Sequence, residues 1–239
     1  MLLVTSNDDA PTLFRPLPAR TVDRSAAYQA LLQALLDLVG ADSPPMDEAD
    51  ARMWRHRARY AVGKAVIRRA AEAPEATPMP EEWFEPLIRA AVHEPDPSFN
   101  KQLIEPAITA LGRRRVQLAL INYLHTGTAP DIAGAARAWY WTQVPLTYLP
   151  SSDTPTPESL AEYEAFDDLR QRYRHTALRQ FVTVDDLDVR RCILPGLPLD
   201  PTLYPTEMHD LVAHAVRIAR TSSDEYLRHR VVIQAESHP

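Results

Sequence analysis

Asp186-Leu187-Asp188-Val189-Arg190-Arg191 carries the pattern that organises this chain: an Asp, an apolar residue three positions later, then an Arg. The pattern returns at Asp224-Glu225-Tyr226-Leu227-Arg228, and earlier at Asp131-Ile132-Ala133-Gly134-Ala135-Ala136-Arg137. Weaker copies lie at Asp50-Ala51-Arg52-Met53 and Asp96-Pro97-Ser98-Phe99. Successive copies are separated by 46, 35, 55 and 38 residues. Leaving out the Pro-rich residues 144–157 shortens the longest interval to 41. These intervals fall near the two-helix repeat length of roughly 35 to 47 residues, so the pattern predicts stacked helix pairs.

The segments between the copies carry helical periodicity. Over residues 25–39, Tyr28, Leu31, Leu32, Leu35, Leu36 and Val39 recur at helical spacing, with Gly40 at the expected stop. Further helices are expected over 46–71, 83–92, 99–111 with Pro106 as a kink or break, 115–124, 132–142, 157–182, 188–194, 208–219 and 226–234. Residues 115–124 are apolar nearly all round, which predicts burial on several sides. No stretch alternates with period two for long enough to form a strand. The expected fold is all-α, an α-α superhelix of about five helix pairs, right-handed. Residues 1–20 form an expected extended arm, and residues 21–239 a single helical repeat domain with a Pro-rich insertion at 144–157.

Composition narrows the functional classes. The 239 residues are 45% hydrophobic and 24% charged, enough for a packed core. A net charge of -6 argues against a general nucleic-acid binder. Cys192 is the only cysteine, which excludes an internal disulfide and a multi-cysteine zinc site. No signal peptide and no apolar run of membrane-spanning length is read, so the expected location is cytoplasmic, with no membrane partner. Lysine occurs only at Lys64 and Lys101, a bias typical of high-GC bacterial genomes.

The Asp…Val-Arg element opening a second helix resembles HEAT-like repeats of α-solenoid proteins. Asp186…Val189-Arg190 and Asp224…Leu227-Arg228 match best, and residues 106–140 look like one complete repeat. The resemblance covers residues 46–235. It implies that the Asp and Arg residues cap turns and form a ladder between repeats, with Arg190 and Arg228 in it and Arg191 and Arg230 outside it. It also implies a protein-binding function, with nucleic acid bound by some members.

Motifs that would carry chemistry are few. No phosphate-binding Gly loop, nucleophile elbow or dinucleotide fingerprint is present, and His209 and His214 are five apart, unsuited to a helical metal pair. No cofactor, metal or catalytic residue is therefore expected. Seven basic residues lie between Asp50 and Glu72 without one acid. Arg52, Arg55 and Arg59 share one stripe, and Arg57, Lys64 and Arg68 another nearly opposite. Such a run reads either as an acidic-partner contact or as a solvated face. The partner-binding candidates are Arg55, Arg59, Arg137, Trp141, Arg191 and Arg230. The expected function is a non-catalytic module that binds a protein or acidic peptide through a concave face. The alternative is a nucleic-acid enzyme resembling the HEAT-like alkyl-purine DNA glycosylases, with Asp131, Arg137, Trp139 and Trp141 as its parts.

Overall fold

A computed structural model of the chain describes residues 21–45, 50–72 and 79–236. The expected arm at 1–20 lies outside the described residues. Eleven α-helices, and no strand, occur among the described residues: α1 Thr21–Val39, α2 Ala51–Glu72, α3 Phe84–Val92, α4 Lys101–Leu111, α5 Arg113–Thr126, α6 Ala129–Trp139, α7 Pro157–Glu164, α8 Asp167–Thr183, α9 Leu187–Ile193, α10 His209–Thr221 and α11 Glu225–Glu236. The all-α expectation holds.

The recurring Asp has a local cause. Asp50, Asp186 and Asp224 each sit just before a helix and accept the backbone N–H three residues on: from Met53 at 2.9 Å, Val189 at 3.0 Å and Leu227 at 3.1 Å. Asp96 caps the 3-10 turn Pro97–Phe99 by accepting from the Ser98 N–H. These are N-caps, in which the side-chain oxygen satisfies an N–H that the helix leaves without a partner. Asp131 differs. It lies inside α6 and accepts from the Thr128 N–H and hydroxyl at 2.9 and 2.6 Å, in a capping box.

The chain divides into two compact units, Met1–Val116 and Gln117–Pro239, with the division inside α5 and not in the Pro-rich segment 144–157. In the first unit α1 packs on α2 and α3, and α4 packs on α2 and α3. Its core holds the whole predicted α1 stripe, with Trp54, Val62 and Val66 of α2, Leu87 and Ile88 of α3, and Leu103 and Ile104 of α4. α4 runs unbroken through Pro106. In the second unit α9 packs on α6, α8 and α11, and α10 packs on α8 and α11.

Two expected helices are corrected. The one expected at 157–182 is two, because the chain turns at Ala165 and Phe166. No residue of α7 is buried, whereas α8 buries Leu169, Tyr173, Ala177, Leu178 and Phe181. The corner is held by Arg170, which donates to the Tyr163 carbonyl at 2.6 Å and stacks 3.6 Å over the Tyr163 ring. α5 is not buried on several sides: Arg114, Leu118 and Asn122, four apart, form an exposed face. Segment 144–157 is a mostly exposed loop folded back on itself. The Leu149 N–H donates to the Thr154 carbonyl at 2.9 Å, and the Thr156 N–H to Thr147 at 2.7 Å. Thr156 then caps α7.

Candidate functional site

The basic helix α2 presents two unlike faces. The inward face carries Arg59, which is 1% exposed. Its guanidinium donates to Glu94 Oε2 at 2.8 Å and to Gln102 Oε1 at 3.1 Å, and lies 4.4 Å from the centre of the Phe99 ring. Glu94 is equally buried. Tyr28 Oη is 2.7 Å from the same Glu94 oxygen, and the Asp96 N–H donates to the other at 3.0 Å. Gln102 Nε2 donates to His56 Nδ1 at 3.2 Å. A buried charge survives only with such complete pairing, since its loss of hydration is otherwise uncompensated. Burial, the Glu94 charge and its hydrogen bond together push the Tyr28 phenol well above its ordinary range. Arg59 is thus tied into the core and is not available to a partner, which overturns its place among the surface candidates. Arg55, on the same stripe, is half-buried.

The outward face is the other stripe. Met53, Tyr60 and Ile67 are 42%, 65% and 45% exposed and are spaced seven apart, with Arg57, Lys64 and Arg68 beside them. At helical pitch these six side chains fall within an arc of about 100°. The apolar stripe faces solvent with the cations along one side of it, and α2 carries no acid before Glu72. Alongside it, between α2 and α4, runs an open groove of about 360 Å³ floored by Gly63 and Pro106. Gly63 permits the close approach. A Cβ there would lie 2.9 Å from the Gln102 carbonyl oxygen and 3.0 Å from Pro106 Cγ. Glu105, on the α4 rim, is held by Lys101 Nζ at 3.4 Å.

The remaining candidates lie in the second unit. Arg137 links two helices, α6 and α9: its Nη1 is 3.9 Å from Asp188 and 3.8 Å from Cys192 Sγ. Arg191 of α9 pairs with Asp224, the cap of α11. Both are side-chain ion pairs between helices that are not consecutive in the chain. Arg190 donates to Asp185 at 2.8 Å in its own turn and to the Phe181 carbonyl, which ties α9 to α8, and Arg228 donates to the Ser222 carbonyl. Arg191, expected to stand outside any ladder, is thus engaged with Asp224. Arg230 is half-buried. Trp141 is half-buried and meets Tyr140 edge-to-face, with ring centres 4.9 Å apart. Trp139 is buried against Tyr173.

No known family model, curated protein or solved structure matches this chain.

Two further features bear on chemistry. Burial pushes the Cys192 thiol up to about 11, against the opposing pull of the Arg137 guanidinium. Such a thiol is a poor nucleophile at neutral pH. Among the described residues no three His, Cys, Asp or Glu side chains could share a metal ion, and no helix is long and apolar enough to cross a membrane. The parts assigned to a glycosylase are otherwise engaged: Asp131 in its capping box, Arg137 between α6 and α9.

Proposed function

We propose that the protein is a non-catalytic interaction module built on HEAT-like helix pairs, and that it binds an acidic protein segment along α2. The order of packing supports the helix-pair reading within each unit. α1 with α2 and α3 with α4 behave as pairs, α1 meeting α3 and α2 meeting α4. α8 with α9 and α10 with α11 repeat that scheme, α8 meeting α10 and α9 meeting α11.

The observation that carries the binding reading is the Met53–Tyr60–Ile67 stripe beside Arg57, Lys64 and Arg68. Spacing of seven is what one helix shows another in a packed seam, and the cations select a partner with carboxylates along one side of its seam. An apolar stripe bordered by charge marks an interaction surface rather than an ordinary exposed face.

The test is site-specific photo-crosslinking in native cells. A photoreactive residue at Tyr60 is expected to trap a partner that the same residue at exposed Tyr148, in the second unit, does not. The double reversal Lys64→Glu with Arg68→Glu should abolish the product while leaving the helical circular dichroism intact. An identical set of products from positions 60 and 148, or products unchanged by the reversal, would refute the assignment.

A further inference from the structure

A second cleft, in the other unit, has features that α2 lacks. It lies beside the C-terminal end of α6, between α8 and the 198–203 loop, with a volume of about 420 Å³. One wall is aromatic. Trp139 and Tyr173 lie parallel, their planes 3° apart and their centres separated by 4.2 Å. Leu203, 41% exposed, stands on the opposite rim.

The charges in the cleft are unequal. Arg170 is already bound, to Asp167 at 3.3 Å and to the Tyr163 carbonyl. Arg174 lines the cleft one helical turn along, and its Nε is buried with no hydrogen-bond partner. No carboxylate among the described residues pairs with it. That Nε is closed to solvent; the terminal nitrogens of Arg174 are not, and they are the donors this side chain offers the cleft. Cavities of this size with a few convergent polar groups on an apolar wall are the usual setting for small ligands.

We propose that this cleft is a binding site for a small aromatic carboxylate: the ring packs against the Trp139–Tyr173 wall, and the carboxylate pairs with Arg174. A carboxylate suits the site because a guanidinium presents two parallel donors to its two oxygens. An aromatic body suits it because the wall is a stacked pair of rings, against which a further ring can pack edge to face. The site does not depend on the α2 surface, so either can fail without the other.

The experiment uses the full chain with 2-naphthoate and its neutral isostere 2-naphthamide as probes, followed by calorimetry and by protein NMR. Naphthoate should bind saturably and perturb Trp139. Naphthamide, and naphthoate with Arg174→Gln, should each bind about tenfold or more weakly, the scale of one charge-assisted pair. Arg174→Lys should retain part of the binding. Leu203→Trp, a rim change that leaves the core untouched, should block it. Equal affinity for the acid and the amide, an unchanged affinity in Arg174→Gln, or no saturation at about 10 mM, where even a millimolar site would fill, overturns the assignment.

Discussion

Replacing Arg59 with Met tests the core of the first unit most directly. Arg59 and Glu94 have side chains 2% and 1% exposed, and 2.8 Å separates their charged atoms. Met fills similar space but removes the cation bonded to Glu94. The carboxylate keeps Tyr28 and the Asp96 N–H as donors yet loses its counter-charge in a site that water does not reach. Gln102 Oε1 loses its Arg59 donor as well. Breaking one side of a buried pair costs about 3–5 kcal/mol. At about 2–4 °C per kcal/mol for a chain of this length, the melting midpoint should fall by roughly 10 °C. Urea unfolding followed by far-ultraviolet circular dichroism reads the free-energy loss, and a thermal scan by the same signal reads the midpoint. Adding Glu94→Gln to Arg59→Met should recover part of the loss. The amide is uncharged: its oxygen can accept the Asp96 N–H, and its NH2 can donate to the Tyr28 oxygen, whose own proton has the Ala90 carbonyl at 3.0 Å. A loss below about 1 kcal/mol for Arg59→Met, the range of an exposed pair, would refute the buried-pair argument. So would a double variant less stable than the single one.

Three other outcomes follow from the same contacts. The Cys192 thiol, raised from 9.0 to about 11 by burial, favours folding below pH 9, and that contribution is lost as pH rises from about 9 to 11. Alkylation of native protein at pH 8 should run about a hundredfold slower than that of a free thiol, and a rate equal to the unfolded chain's would contradict it. The Arg191 hydrogen bond holds the Asp224 carboxyl below its usual range, so the stabilisation it brings is present at neutral pH and fades as pH falls into the acid range. In Arg191→Ala an NMR titration should find Asp224 moved upward, and no movement would mean the pair does not persist in solution. Gly63→Ala should destabilise by about 1–3 kcal/mol, because a methyl 2.9 Å from the Gln102 oxygen outweighs alanine's better helix propensity of about 1 kcal/mol. A Gly63→Ala variant more stable than the parent chain would show that α2 and α4 move apart at no cost.

Much of the fold was legible because its signals are local. The α1 stripe could be read because six apolar residues at helical spacing admit one buried face, and all six are buried. The Asp signature was legible for a different reason from the one it first suggests. It is cap chemistry, and each copy marks where a helix begins, whatever that helix packs against. The functional surface was half legible. Helical geometry places Arg59 and Arg57 on opposite sides of α2, yet it does not say which side is inward. Glu94, which decides the matter, lies 35 residues from Arg59. The seven-residue spacing of Met53, Tyr60 and Ile67 was the available signal, and the run of basic residues obscured it. Arg174 gives no sign in the sequence, because an unpartnered nitrogen is a property of the packed state alone.

Gly63 and Pro106 have a history built into their geometry. Proline has no N–H, so it cannot serve the Gln102 carbonyl four residues back, the same oxygen that Gly63 leaves room for. A descendant that first gained a side chain at 63 would meet that oxygen at once and be selected against. One that first exchanged Pro106 for alanine would give the oxygen a helical partner and remove the ring beside Gly63. That exchange still leaves the Gln102 oxygen 2.9 Å from any Cβ at position 63, so the position stays closed to a side chain. The backbone of α4, and not the proline ring alone, keeps a glycine at this point of the groove.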